Sequence, residues 1–159
     1  PGPKKTILSG CGGAVSYIDP GKLPVLTRTF TIPASILTLS FSHFMASEKK
    51  KPGLVSSALY RLDQCLIFRQ DIGDDQVTDL MIGAGLIEKI NFSSSHCLCS
   101  HTITSETVRK CLIAGIPLLL TTGHCTRLAA QIGQKNGLCI GIIQDTRLLI
   151  LSRPERITW

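Results

Sequence analysis

Ser9-Gly10-Cys11-Gly12-Gly13 sets a single thiol among glycines near the start of the chain. Glycine permits backbone conformations that other residues avoid and leaves room for another molecule to approach. Lys4 and Lys5 lie close by in sequence and would favour the thiolate, the reactive form of cysteine. That combination would leave the thiol accessible and reactive. The competing reading is a small residue in a turn, since free cysteine commonly behaves as a small hydrophobe.

Two further stretches have residue types that do chemistry. His96, Cys97, Cys99 and His101, with His124 and Cys125 downstream, are zinc-ligand types, and a zinc site needs four of them converging tetrahedrally. Cys97 and Cys99 stand two apart on a predicted strand, so both point to one face and form a poor chelating turn. The His-x-Glu and Pro-Cys-x-x-Cys pair of a zinc deaminase is absent from the sequence. The expectation is therefore no metal site, with zinc binding as a lesser alternative. The second stretch is Ile142-Ile143-Gln144-Asp145-Thr146-Arg147, at the end of a predicted strand. There the Arg147 guanidinium could grip two phosphate oxygens while Thr146 and backbone amides add donors. Asp145 in the same stretch is also a turn former, so a tight hairpin is an equally natural reading.

Positioning such groups falls to the elements around them. Pro33 near a helix start and apolar residues at 36, 37, 41, 44 and 45 predict a helix in the 30–45 stretch. The sequences at 56–62 and 64–73 read as paired strands joined by a short polar turn, and helical spacing returns over 76–90. From residue 97 the order is regular: strand 97–103, helix 105–115, strand 116–122, helix 126–137, strand 138–144 and a last strand 147–152. Gly137 suits the left-handed cap that ends a helix, and Ser105 with Glu106 suits a helix start. Strands alternating with helices imply crossover units, a largely parallel sheet and the α/β class. Two divisions are expected: an N-terminal loop region over 1–30 that carries Cys11, and an α/β domain over 31–159.

Composition narrows the function classes. The 159 residues are 43% hydrophobic and only 5% aromatic, which fits one compact domain with an aliphatic core. The apolar run at 112–120 is far shorter than the roughly 20 residues a membrane span needs. Seven cysteines, an odd number, and no signal-peptide pattern argue against a secreted disulfide scaffold. A reducing cytoplasmic setting is expected, with no membrane association. The formal charge of +6 draws anions. Nucleic acid is not expected, because the basic residues are dispersed and lack interleaved aromatics on which bases could stack.

Asp71-Ile72-Gly73, the run from Ile103 to Thr122 and the closing Pro154-Glu155-Arg156-Ile157 resemble one family, the FdhD-type formate dehydrogenase accessory sulfurtransferases. Ser9–Gly13 and the Lys51–Leu59 stretch add weaker support. Asp71, Gly73, Asp79, Ser100, Ser105, Glu106 and Thr126 match the family pattern. Other positions depart from it: Ala14 stands where a second loop cysteine is usual, Ser56 where His is usual, His101 where Gly is usual and Cys125 where Pro is usual. Asp74, Asp75 and Gln76 replace an Arg-His-Asn run, so a cationic wall becomes anionic. The family normally has a further N-terminal segment without counterpart in these residues.

The resemblance implies a cytidine-deaminase-like three-layer fold, with a mixed, largely parallel sheet and helices on both faces. It also implies a formate dehydrogenase accessory role, in which sulfur from a cysteine desulfurase rides as a persulfide on Cys11. From there it passes to the molybdenum bis-guanine-dinucleotide cofactor, bound as a substrate. By the same resemblance Ile142, Ile143, Gln144, Asp145, Thr146 and Arg147 form the cofactor-contacting stretch, with guanine nucleotide as ligand and formate dehydrogenase as recipient. A carrier that meets two large enzymes is suited to a homodimer. The departures keep open an alternative, a paralogue that binds the nucleotide or cofactor without catalysis.

Overall fold

The computed structural model describes residues 6–7, 17–18, 22–27, 29–48, 52–144 and 147–159. Two short strands, β1 (Thr6–Ile7) and β2 (Tyr17–Ile18), pair antiparallel within the expected loop region, with Thr6 opposite Ile18. Cys11 lies between them, outside the described residues.

The main sheet follows from the sequence periodicities. β4 (Val55–Arg61) and β5 (Gln64–Asp71) form the antiparallel pair expected from 56–73. Then β6 (His96–Cys99), β7 (Leu118–Thr121) and β8 (Cys139–Gln144) alternate with α3 (Ser105–Ala114) and α4 (Arg127–Asn136). A hairpin returns from β8 into β9 (Arg147–Ser152). The strand order is β5-β4-β6-β7-β8-β9. Within this sheet parallel pairing is confined to β6, β7 and β8, because only these are joined by helical crossovers, and the antiparallel strands at each side make the sheet mixed. Leu118, Leu119 and Leu120 are buried in turn, as a strand covered on both faces requires.

Helices cover both faces. α2 (Asp74–Ile87), α3 and α4 lie on one side, where Leu59, Met81, Cys97, Cys99, Leu119 and Ile140 belong to a single core. On the other side α1 (Ala34–Ser47) packs with Leu37 and Phe44 against Ala58, Tyr60, Leu98 and Leu118. A short parallel pair, β3 (Ile32–Pro33) with β10 (Ile157–Thr158), completes that layer. Burying each Leu or Ile contributes about 1.5–3 kcal/mol, so these two aliphatic cores dominate the stability.

The expected helix starts are shifted by their capping chemistry. For α3 the cap is Thr104 rather than Ser105: its hydroxyl and that of Thr107 exchange bonds with each other's backbone amides. Glu106 in the first turn instead holds Arg109 at 2.8 Å. Strand β6 ends at Cys99, four residues short of the expected 97–103, because the chain leaves the sheet to form the loop into α3. Gly137 does take the left-handed conformation expected of it, with φ 80°. The Leu26 carbonyl would lie 2.7 Å from a Cβ there.

Arg156 gathers this corner. Buried in the C-terminal turn, its guanidinium donates to the carbonyls of Gly137, Leu26 and Phe30 at 2.8, 3.1 and 3.3 Å. The segment that leads from β2 into α1 is thus tied to the end of α4.

His96, at the start of β6, is fully buried, stacks on Tyr60 with ring centroids 5.7 Å apart, and has no hydrogen-bond partner on either nitrogen. Burial pulls its pKa down from 6.5 to about 4. The unfolded chain therefore binds this proton more readily than the folded one, and stability that is complete above pH 6.5 is lost as pH falls toward 4. The loss from this one group is about 3 kcal/mol. Urea unfolding at neutral pH and near the lower limit is expected to show it, and His96→Phe is expected to flatten the difference. An equally steep acid dependence in His96→Phe would refute the assignment.

Candidate functional site

Three parallel strands joined by crossovers end at the same side of the sheet, and there their loops open onto a common shelf. β5 runs in the same direction, and the start of β4 lies beside its end, so five strands contribute. On the α1 side the shelf carries Gln70, Ser56, Ser100 and Thr122 in sequence across the strands. The Gln70 side-chain amide donates to Ser56 Oγ at 3.1 Å, and the Ser56 backbone amide donates to Ser100 Oγ at 2.9 Å. Beyond them a cavity of about 510 Å³ is lined by Phe41, Met45, Thr122, Ile143 and Gln144. Its walls are aliphatic and aromatic while Thr122 and Gln144 supply hydrogen-bonding groups, the make-up of a small-ligand pocket.

On the opposite face of the same strand ends the polar groups are sealed. His101 is 3% exposed, and its Nδ1 lies 3.2 Å from the Thr102 carbonyl. A carbonyl only accepts, so Nδ1 carries the proton and Nε2 presents a lone pair. Ser57 Oγ, 3.2 Å from Nε2, donates to it. Thr78 Oγ1 is 3.3 Å from the same nitrogen. Burial lowers the His101 pKa, opposed by the Thr102 carbonyl and by Asp74 and Asp75. The imidazole thus joins β4, α2 and the β6 loop as a neutral group. Thr121 Oγ1 donates to the His101 carbonyl at 2.6 Å, and Gly123 N donates back to Thr121 Oγ1 at 2.8 Å. Only glycine fits at 123 without displacement, because a Cβ there would stand 3.0 Å from the His101 carbonyl carbon and oxygen.

The expected site residues divide. Ile143 is buried in the wall of the cavity and Gln144 stands on its rim. Ile142 alternates to the other face, opposite Thr121 and Leu149. Gln144 and Arg147 are paired across the β8–β9 hairpin and both are exposed, so the hairpin reading of this stretch holds. Asp145 and Thr146, like Cys11, lie outside the described residues. Phe41 and Met45 could be read only as members of an apolar helix face. The alignment of Ser56, Gln70, Ser100 and Thr122 depends on strand register and has no local signal.

The zinc-type residues do not converge. Cys97 and Cys99 face α2 and α3, as their spacing requires, whereas His96 faces α1 and His101 is held by Ser57. Among the described residues no three His, Cys, Asp or Glu side chains are arranged to hold a metal ion. The thiols themselves are quenched. Cys97 is raised first by its hydrogen bond with Cys111 and then by burial, and burial pushes Cys99 and Cys139 up to about 12. Cys125, beside the α4 start, is also raised by burial.

The residues that match the resemblance mostly have structural work. Asp71 accepts from the amides of Ile72 and Gly73 at 2.7 and 3.2 Å, shaping the turn into α2. Asp79 pairs with Lys110 at 2.9 Å, and Thr126 caps α4 by accepting from the Ala129 amide. Asp74 and Asp75, where the family pattern is cationic, sit in the first turn of α2 and favour its positive end.

The model of the FdhD/NarQ family matches residues 2–158. The chain belongs to that family. Curated relatives named "Sulfur carrier protein FdhD" agree. The protein from Staphylococcus haemolyticus is 27% identical over 161 residues, covering 97% of this chain and 61% of the relative. That from Mycolicibacterium paratuberculosis is 26% identical, over 91% of this chain and 53% of the relative. The chain spans about half the length of the curated relatives it matches. A solved structure, of a putative formate dehydrogenase accessory protein from Desulfotalea psychrophila, superposes with a TM-score of 0.79 at 18% identity, covering 96% of this chain and 71% of that one. The shared fold is the three-layer α/β architecture described above. Among the described residues no helix is long and apolar enough to cross a membrane.

The hydrogen bonds of His101 predict a cost for removing it. His101→Gly strips Ser57 of its acceptor inside the core and is expected to lower stability by about 2 kcal/mol. In hydrogen exchange, amides 100–103 should lose protection before those of β7. Unchanged stability and exchange would show that the imidazole is not the tie between these elements.

Proposed function

We propose that this chain is a sulfur carrier serving formate dehydrogenase, loading sulfur on Cys11 and presenting it to a molybdenum bis-guanine-dinucleotide cofactor bound at the shelf. The observation that carries the reading is the cavity at the parallel strand ends, half apolar and half hydrogen-bonding, in a member of the FdhD/NarQ family. In the loading step the Cys11 thiolate attacks the outer sulfur of a cysteine desulfurase persulfide. The sulfur–sulfur bond of the donor breaks, a new one forms on Cys11, and the donor leaves as its thiolate, so atoms and electrons balance.

The quenched state of Cys97, Cys99, Cys125 and Cys139 supports Cys11 as the thiol that reacts, since the thiolate is the nucleophile. A guanine ring fits the cavity chemically: Phe41, Met45 and Ile143 offer it apolar walls, and Thr122 and Gln144 offer donors and acceptors for its edge. Arg147, exposed on the neighbouring hairpin, offers a guanidinium to phosphate. The cofactor acts here as cargo, and cytoplasmic action follows from its partners.

Cys11 should label faster than the other thiols, and Cys11→Ala should accept no sulfur when the chain is mixed with a cysteine desulfurase and free cysteine. Mass spectrometry reads the added sulfur directly. Undiminished loading of Cys11→Ala ends the carrier assignment.

Guanosine diphosphate, standing for one nucleotide arm of the cofactor, should bind measurably in calorimetry. Gln144→Ala and Arg147→Ala should each weaken it by about tenfold, and added salt should weaken it further. Both side chains are exposed, so neither change threatens the fold. Absence of binding at millimolar nucleotide would remove the cofactor from the proposal.

A further inference from the structure

A second group of polar side chains lies at the end of the sheet away from the shelf. β9 runs antiparallel to β8, so its last residue, Ser152, stands opposite Ile140 near the start of β8. The chain then turns through residues 153–156, and between this turn and the segment that precedes α1 is a cavity of about 380 Å³. The turn lines it with two guanidiniums, Arg153 and Arg156, and one carboxylate, Glu155. The opposing segment contributes the hydroxyls of Thr27, Thr29 and Thr31, beside apolar Val25, Leu26 and Phe30.

Arg153 is held in this place against its own preference. Its φ is 51°, in the left-handed region that glycine adopts freely and arginine seldom does, and its amide donates to the Gln134 side-chain carbonyl at 3.0 Å. Its Nε is buried and lies 2.7 Å from a Glu155 carboxylate oxygen, yet the pair is not aligned as a hydrogen bond. The Nε proton therefore has no acceptor among the described residues. Burial, and after it the Arg153 charge, lower the pKa of Arg156, so the two cations are close enough to repel. Glu155 is the carboxylate that opposes them. The hydroxyls of Thr27, Thr29 and Thr31 donate to nothing among the described residues.

We infer that this cavity binds a small phosphate monoester, its phosphoryl group between the Arg153 guanidinium and the threonine hydroxyls and its organic part on Val25, Leu26 and Phe30. A guanidinium grips two phosphate oxygens at once, and the third oxygen is left for the hydroxyls. A carboxylate has only two oxygens and a single charge, whereas a phosphate monoester has close to two charges with which to answer two guanidiniums. Arg156, already engaged by three backbone carbonyls, adds its field. The apolar walls favour an ester over the free ion. Such a ligand joins the segment that precedes α1 to the C-terminal turn, beside the tie that Arg156 makes, and at the opposite strand ends from the nucleotide shelf.

The test uses the 159-residue chain in calorimetry with phenyl phosphate, inorganic phosphate and benzoate as probes. Phenyl phosphate should bind with a Kd of about 1 mM or below. Inorganic phosphate should bind about tenfold more weakly, for want of the apolar contact, and benzoate should not bind at about 10 mM. Glycine suits the backbone at 153, so Arg153→Gly should keep the circular dichroism and thermal midpoint of the parent while its affinity for phenyl phosphate falls about tenfold or more. In amide NMR of the parent, phenyl phosphate should shift Thr29, Thr31, Arg153 and Glu155 and leave Thr122 and Gln144 in place. No binding of phenyl phosphate, undiminished binding by Arg153→Gly, benzoate or inorganic phosphate bound as tightly as the ester, or shifts confined to the shelf would each overturn the inference.

Discussion

The parallel ladder of β6, β7 and β8 is the constraint on which the rest of the molecule depends. Cys97 faces Leu119, and Leu118 faces Cys139, so successive strands point the same way and each must be reached by a crossover. The two crossovers set α3 and α4 on one face and deliver all three strand ends to one side. The shelf, the sealed His101 cluster and the Gln144–Arg147 hairpin are consequences of that arrangement. The other face is left for α1, whose Phe41 and Met45 close the cavity from above. α1 is fixed there by Ser40, which donates to the Leu62 carbonyl at 2.9 Å, and by the contact of Phe44 with Phe68.

The two faces of the strand ends have been given different chemistry. On the α1 side Gln70 and Ser100 are only partly enclosed, with the buried Ser56 between them, so a ligand can compete for the outer groups of this chain of bonds. On the α2 side Ser57, Thr78, His101 and Thr121 satisfy one another in the interior, where a lost partner costs more than the bond contributed. The sealed side therefore holds the loops in register for the open side. Its neutral imidazole does this without burying a charge. Burial in either core keeps Cys97, Cys99 and Cys139 as thiols.

Arg156 links the scaffold to the segment that precedes α1. Three carbonyls from two distant stretches converge on one guanidinium, whose planar set of donors can satisfy them together in a way a lysine ammonium cannot. The charge is offset by carbonyl dipoles, among them that of Gly137 just past the end of α4, and by the field of the Glu155 carboxylate. The closing Pro-Glu-Arg-Ile motif accordingly has a structural explanation that is independent of any ligand.

The sequence by itself determined the elements and the family. Period-two and period-3.6 patterns are local, and so are the signals of Pro33, Gly137 and the Leu118–Leu120 run, so the helices and strands after residue 30 were legible within a few positions. The common facing of Cys97 and Cys99 followed from spacing alone. What the tertiary structure decided was everything that joins residues far apart. Ser56 meets Ser100 through strand register, His101 meets Ser57 through the β4–β6 pairing, and Phe41 meets Gln144 because α1 lies across the strand ends. Thr104 displaced Ser105 as a cap because the cap depends on where the backbone turns, a matter of one residue that composition does not resolve. The exposure of Leu80, Leu86 and Ile87 on α2 was equally hidden, since apolar residues fall on both its inner and outer sides and the sequence gives no sign of which the sheet will take.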